Sequence, residues 1–201
     1  MGKIYEKLKC KKRSLYHVTE FENLESILQN GLLSLRTLDK KHMKVSYVSK
    51  PISREVDRSW SLDKYVRLAY TPYYDMIPAN IYGGYIKNPV VLYINPSVLL
   101  DKIGILYTDK NAAAKEANFF HSENEVYEYL DFRKIYTVRN KNNYIDEIYK
   151  NARQAEVLIP NLIESKYITK IIVEDNMDTN FLEKKGIVIE KRKLKEMLEL
   201  H

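Results

Sequence analysis

The chain predicts a single α+β domain, on three observations. Short runs rich in branched and aromatic residues recur along its length, at residues 14–19, 64–70, 89–94 and 155–159. Helical stretches fall between them without the regular alternation of a parallel α/β sheet. The 201 residues, 45% of them apolar, suit one hydrophobic core, and no repeat, low-complexity segment or long linker divides them.

Residues 14–19 read as a strand. Residues 22–30 follow as a helix, with Leu24, Ile27 and Leu28 on one face and Gly31 as its stop. Residues 35–50 carry many charges and no firm period, which reads as a long loop or a partly helical lid over the first strand. Residues 52–61 hold a short helical turn with Arg54, Val56, Asp57 and Arg58. In residues 64–70, Tyr65, Arg67 and Ala69 alternate with Val66, Leu68 and Tyr70, the pattern of a half-buried strand. Prolines, glycines and tyrosines make residues 71–87 a long irregular loop, whereas residues 89–94 are nearly all apolar, as a central strand is. Asn95 and Pro96 then open a short helix, residues 104–108 form a strand, and the alanines of residues 111–118 a short helix. Residues 119–138 are irregular, and residues 143–152 helical. The strand carrying Glu156 follows, with residues 167–173 as its hairpin or sheet neighbour, and a βα tail of residues 187–190 and 191–200 closes the chain.

Charge and cysteine use bound the partners. The net charge of +6 is a modest bias, compatible with a polyanion. Part of it lies in residues 1–13, where Lys7, Lys9, Lys11, Lys12 and Arg13 make a basic leader ahead of a domain at residues 14–201. Such a run is a solvated end or a track for a phosphate backbone. Seventeen tyrosines supply amphipathic faces for the core or for stacking on bases. One cysteine, Cys10, excludes an intrachain disulfide and fits a reducing cytoplasm. The sequence holds no apolar run of transmembrane length and no secretion-signal pattern, so no membrane role is expected.

The most informative string is Arg153-Gln154-Ala155-Glu156-Val157-Leu158-Ile159-Pro160. On a strand, Ala155, Val157 and Ile159 take one face, and Glu156 shares the other with Leu158. A carboxylate beside Leu158 loses hydration and needs a partner or a task. The absences narrow the chemistry. There is no Gly-x-Gly-x-x-Gly and no Gly-Lys-Ser/Thr phosphate loop, which argues against a Rossmann dehydrogenase. No spacing matches a structural zinc site, His121 with Glu123 and Glu125 is a weak metal cluster, and no metal is expected.

This string and a second one, Leu15-Tyr16-His17-Val18-Thr19 followed by Asn23-Leu24-Glu25-Ser26-Ile27-Leu28, together resemble the DarT family. Its members are NAD-dependent DNA ADP-ribosyltransferases that act as toxins beside a macrodomain antitoxin. Between the two strings, in matching order, lie Tyr65-Val66-Arg67-Leu68, Asn88-Pro89-Val90-Val91-Leu92, Asp109-Lys110-Asn111-Ala112 and Leu130-Asp131-Phe132. The resemblance implies one ADP-ribosyltransferase-like domain with a split central mixed β-sheet and peripheral helices, binding NAD as co-substrate between two splayed halves of the sheet.

It also implies site residues. His17 and Thr19, two apart on one strand, face the NAD cleft, joined by Ser26. An arginine after the first helix contacts NAD and helps ready the target base. Arg54 matches the distance and Arg58 competes with it. Glu156 is the catalytic carboxylate, stabilising positive charge on the sugar as the nicotinamide bond breaks. Residues 115–154 are the substrate-positioning loop. Arg153, Tyr73 and Tyr74 are nucleic-acid contacts, the tyrosines standing where the family has an Arg-x-Pro-Met type segment that this chain lacks. The expected partner is single-stranded DNA, with a macrodomain ADP-ribosylglycohydrolase as antitoxin. The base, thymidine or guanosine, stays open, as do RNA or protein targets and a non-catalytic nucleic-acid-binding module.

Overall fold

A computed structural model describes residues 2–72, 76–137, 147–182 and 186–198. In chain order, α1 (Lys3–Cys10) precedes β1 (Leu15–Glu20), α2 (Leu24–Asn30) and β2 (Leu32–Leu33). Helices α3 (Leu35–Lys40) and α4 (Pro51–Ser59) lead to β3 (Tyr65–Ala69), α5 (Met76–Tyr82) and β4 (Pro89–Ile94). Then come α6 (Val98–Asp101), β5 (Leu106–Thr108), β6 (Phe119–Phe120), α7 (Glu123–Tyr129), α8 (Phe132–Ile135) and α9 (Glu147–Ala152). The last elements are β7 (Glu156–Pro160), β8 (Leu162–Ile163), β9 (Ile168–Glu174), β10 (Val188–Arg192) and α10 (Leu194–Leu198).

Among the described residues eight strands form one mixed sheet in the order β10-β9-β4-β1-β3-β7-β5-β6. β9 and β10 run parallel and the other neighbours antiparallel. The sheet is split at its centre. β1 pairs with β4 along its whole length, from Leu15 opposite Ile94 to Glu20 opposite Pro89. Against β3 it keeps a single register pair, Tyr16 opposite Ala69. The expected split sheet is therefore present, and its two halves part beyond Tyr16.

Burial explains why these segments form strands. Val90, Leu92 and Ile94 enter the main core with Leu15 and Leu68, while Val91 packs on the opposite face with Ile172 and Met197. β7 is also covered on both sides: Val157 and Ile159 join the main core, and Leu158 packs with Leu62 and Ala112. Leu24, Ile27 and Leu28 of α2 are buried as the sequence pattern requires. Gly31 ends that helix at φ 80°, and a Cβ there would lie 2.4 Å from Leu162 Cδ1 and 2.7 Å from the Ile163 carbonyl oxygen. The close approach of the small β2–β8 ribbon thus adds a second reason for glycine.

The structure corrects several sequence expectations. The supposed leader forms α1, whose Ile4 and Leu8 are buried in the main core. Its lysines occupy the other face, which is how an amphipathic helix hides behind a basic composition. Residues 119–138 are expected to be irregular, yet they contain α7 and α8. Ser122 and Glu125 form a reciprocal capping box, and Asp131 caps α8. Residues 71–87 are expected as a loop but contain α5. The alanines at residues 112–114 are not helical: the segment folds as consecutive turns, with the Ala114 amide bonded to the Asn111 carbonyl and the Ala117 amide to the Ala114 carbonyl, and Asn118 is tied back to Asp109. The helical turn does open at Asn95, whose Oδ1 accepts from the Ser97 amide, but its first bonds are of the i→i+3 type, from Val98 to Asn95 and from Leu99 to Pro96, so α6 proper spans only Val98–Asp101. Finally, β9 is no neighbour of β7. It pairs with β4, with β4, β1 and β3 lying between the two.

Leu8→Ala should lower unfolding stability by about 2–5 kcal/mol in urea titrations, as removal of a core leucine does. If α1 were a solvated appendage, the change would stay within roughly 0.5 kcal/mol.

Candidate active site

A cleft of about 580 Å³ opens where β1 parts from β3. Strand β1 gives it His17 and Thr19, β3 gives Arg67, β7 gives Glu156, α2 gives Ser26, and α4 gives Arg54 and Asp57. Residues 44–49 line it from the segment between α3 and α4, so the expected lid has one helical part, α3, and one non-helical part at the cleft. Asn80 on α5 holds that segment through the Val48 carbonyl at 3.1 Å.

The split leaves backbone groups without a strand partner, and side chains take over. His17 Nδ1 lies 2.9 Å from the carbonyl oxygen of Arg67 across the gap. A carbonyl only accepts, so Nδ1 carries the proton and Nε2 of the neutral ring is an acceptor. Burial pushes the imidazole pKa below its ordinary value, and the Arg67 carbonyl only partly opposes this. Thr19 is buried, and its Oγ1 accepts from Asn23 Nδ2 at 3.1 Å. Asn23 also clasps the backbone of Ser46, donating to its carbonyl at 2.7 Å and accepting from its amide at 2.9 Å. One amide side chain thereby ties the lid segment to the end of β1.

Glu156 is 4% exposed. It stands opposite Ala69 in the β3–β7 register, so its position on the sheet is fixed by the ladder. Oε2 accepts from the Ala112 amide at 2.7 Å and lies 3.6 Å from Arg67 Nη1. The Glu156 amide donates to Thr108 Oγ1 at 3.1 Å, which joins β7 to β5. Arg67 Nη2 pairs closely with Asp57 Oδ1. Desolvation raises the Asp57 pKa, Arg67 opposes this, and Asp63 adds to it.

The two candidate arginines separate clearly. Arg54 lines the cleft, donates to the Ser49 carbonyl and stacks its guanidinium over the Tyr47 ring at 4.2 Å. Arg58, one turn on, pairs with Asp39 at 3.0 Å on the exposed side of α4. Arg153 is buried at 4% exposure and donates to the Thr137 carbonyl at 3.0 Å, so it braces the chain after α8 instead of presenting itself to solvent. Tyr73 and Tyr74 lie outside the described residues, as does part of the expected substrate-positioning loop. Glu125 caps α7 and Glu123 accepts from the Tyr107 hydroxyl at 3.2 Å, which gives those acids structural tasks.

Sequence reasoning missed Arg67, Asp57 and Asn23 as site residues. An arginine between Val66 and Leu68 in the middle of a strand is a signal in itself, since a central strand rarely carries a charge without a partner. Asp57 and Asn23 carry no such mark, and only their contacts reveal them.

Comparison with known proteins agrees with this architecture. The family model of DarT, described as ssDNA thymidine ADP-ribosyltransferase, matches residues 16–195. A curated relative from Thermosipho africanus, a DNA ADP-ribosyl transferase–DNA ADP-ribosyl glycohydrolase fusion protein, is 26% identical over 179 residues, 86% of this chain. The chain spans about half of that relative, 45% of its length. DarT of Thermus sp. 2.9 in complex with ADP-ribosylated ssDNA superposes with a TM-score of 0.73 at 19% identity, covering 91% of this chain and 95% of the other. The same protein in complex with NAD+ gives a TM-score of 0.66 at 21% identity, covering 90% and 96%. At these identities the solved structures establish a shared fold.

The lowered pKa of His17 fixes the sign of a pH effect. Below about pH 6.5 the unfolded chain binds a proton that native His17 resists. This contribution to stability is therefore full above that value and is lost as pH falls towards the lower native pKa. His17→Gln should flatten this part of the stability profile in urea titrations between about pH 7.5 and 5.5. An unchanged slope would mean that the native imidazole takes up its proton as readily as the unfolded chain does, against its burial.

Proposed function

The chain belongs to the DarT family, and on that premise we propose that it transfers ADP-ribose from NAD to a thymidine base of single-stranded DNA, releasing nicotinamide. One observation carries this reading: the Glu156 carboxylate lines the cleft, is buried, and is held there by the Ala112 amide. The residues present fit a dinucleotide. A cleft of about 580 Å³ has the size of ordinary cofactor sites. Its wall offers an imidazole acceptor at His17, hydroxyls at Thr19 and Ser26, and a guanidinium at Arg54.

NAD supplies a nicotinamide–ribose bond whose cleavage builds positive charge on the sugar. The Glu156 carboxylate, fixed by the β3–β7 ladder, favours that developing charge more than it favours the bound ground state, and this difference raises kcat. The same group is suited to accept the proton that the attacking base nitrogen sheds. His17 offers Nε2 to a ribose hydroxyl because Nδ1 is held by the sheet itself. Arg54 has the planar fork that a pyrophosphate matches. We assign it the NAD contact over Arg58 because it faces the cleft while Arg58 faces Asp39.

The target follows from the family description and from the Thermus complex, which contains ADP-ribosylated ssDNA. The Thermosipho relative joins transferase and glycohydrolase activities in one chain. That supports a toxin whose antitoxin, a macrodomain ADP-ribosylglycohydrolase, removes the mark. Among the described residues no helix is long and apolar enough to cross a membrane. NAD and DNA meet in the cytoplasm, where we take the reaction to occur.

Labelled NAD with single-stranded DNA, duplex DNA, RNA and a protein mixture tests the reading. We expect label in single-stranded DNA alone, on thymidine after nuclease digestion. Glu156→Gln should cut transfer by about a thousandfold while NAD affinity changes little. Label in RNA or protein would redirect the target, and DNA retention with no label on any substrate would leave a binding module. Adding an ADP-ribosylglycohydrolase of the macrodomain class should strip the label from the DNA.

A further inference from the structure

Arg67 stands where three elements of the cleft converge. Its carbonyl receives His17 of β1, its Nη2 pairs with Asp57 of α4, and its Nη1 lies 3.6 Å from Glu156 Oε2 of β7. Each contact comes from a different strand or helix, and the one to His17 crosses the sheet split. The guanidinium is partly buried, with its side chain 21% exposed, and so are its partners, at 20% for Asp57 and 5% for Glu156. Among the described residues, Arg67 is thus the one guanidinium shared by a carboxylate of α4 and a carboxylate of β7. The planar fork of arginine serves both at once from separate nitrogens, which a lysine ammonium on a flexible stem does not reproduce.

Resting on the transfer reaction proposed above, we propose that Arg67, locked by Asp57, is a positioning residue for Glu156: it sets a cation beside the carboxylate and keeps it aimed at the reacting sugar. Asp57 has a second consequence, because α4 also bears Arg54. The Asp57–Arg67 pair therefore sets the distance between the helix that holds the dinucleotide and the strand that carries the acid. The charged groups lining the same cleft are Lys44, Arg54, Asp57, Asp63 and Arg67, with His17 beside them. Of the cations among these, Arg67 is paired with Glu156 in the structure, while Arg54 is turned to Ser49 and Tyr47.

Steady-state kinetics of the full chain across pH test the idea, with single-stranded DNA and NAD as substrates. Arg67→Gln should lower kcat by about a hundredfold, the scale of a misplaced catalytic group. KM for NAD should stay within about threefold. The acidic limb of the kcat/KM profile should move up, because the cation 3.6 Å from the Glu156 carboxylate is gone. Arg67→Lys should restore the limb but only part of kcat. The double variant Asp57→Asn/Arg67→Gln, which leaves no uncompensated Asp57 to unfold the protein, should show the same kcat loss and the same limb shift as Arg67→Gln. A raised KM with an unmoved limb would make Arg67 a contact to NAD and overturn the proposal, as would variants with wild-type kinetics. A wild-type protein that labels no substrate would overturn both this proposal and the transfer reaction. An active wild type with an unmoved limb in Arg67→Gln would overturn this one alone.

Discussion

A β-sheet that stops pairing in its middle must satisfy the freed backbone in some other way, and this constraint governs the molecule. β1 keeps its full ladder with β4 but meets β3 only at Tyr16 and Ala69. Beyond that point the carbonyl of Arg67 has lost its place in a ladder, and an orphaned acceptor in a partly buried cleft costs roughly 1–3 kcal/mol. The imidazole of His17 takes the place of the missing strand. The bond that repairs the sheet also selects the ring's tautomer, so a structural need and a chemical one are met by one atom pair.

The electrostatics of the cleft follow from the same geometry. Burying Glu156 at 4% exposure removes its hydration, and a buried carboxylate needs partners in place of that water. The Ala112 amide and the Arg67 guanidinium supply what water no longer does. Asp57 in turn holds the guanidinium, so the charge balance of the floor is shared by three elements. Buried pairs of this kind add little net stability, but breaking one leaves an uncompensated charge. Their value lies in fixing direction, since a carboxylate that acts on a developing cation must not need to reorient.

Several parts of the fold and site were legible in residue patterns. The alternation at Ala155, Val157 and Ile159 against Glu156 and Leu158 matches a strand buried on both faces, with the acid as its exceptional residue. His17 and Thr19, two apart, do line one cleft together with Ser26. The misreadings have physical causes. α1 looks like a charged leader because lysines outnumber the two residues, Ile4 and Leu8, that anchor it. α7 was hidden by its aromatic and acidic composition although Ser122 and Glu125 spell its cap. The alanines after Asn111 favour a helix by propensity, but the segment closes as i→i+3 turns and is tied back through Asn118 to Asp109.

By itself the sequence determined the elements whose burial is periodic, the family resemblance, and the acid on which the chemistry turns. It could do so because side-chain period and local order are properties of neighbours in the chain. Tertiary structure alone decided that β9 lies across the sheet from β7, that Arg54 and not Arg58 faces the cleft, that Arg153 is a brace, and that Arg67 joins His17, Asp57 and Glu156. Those facts depend on which strands part and on the side of a helix that a neighbour leaves open, and contacts between residues 50 or 89 positions apart leave no local trace in composition or spacing.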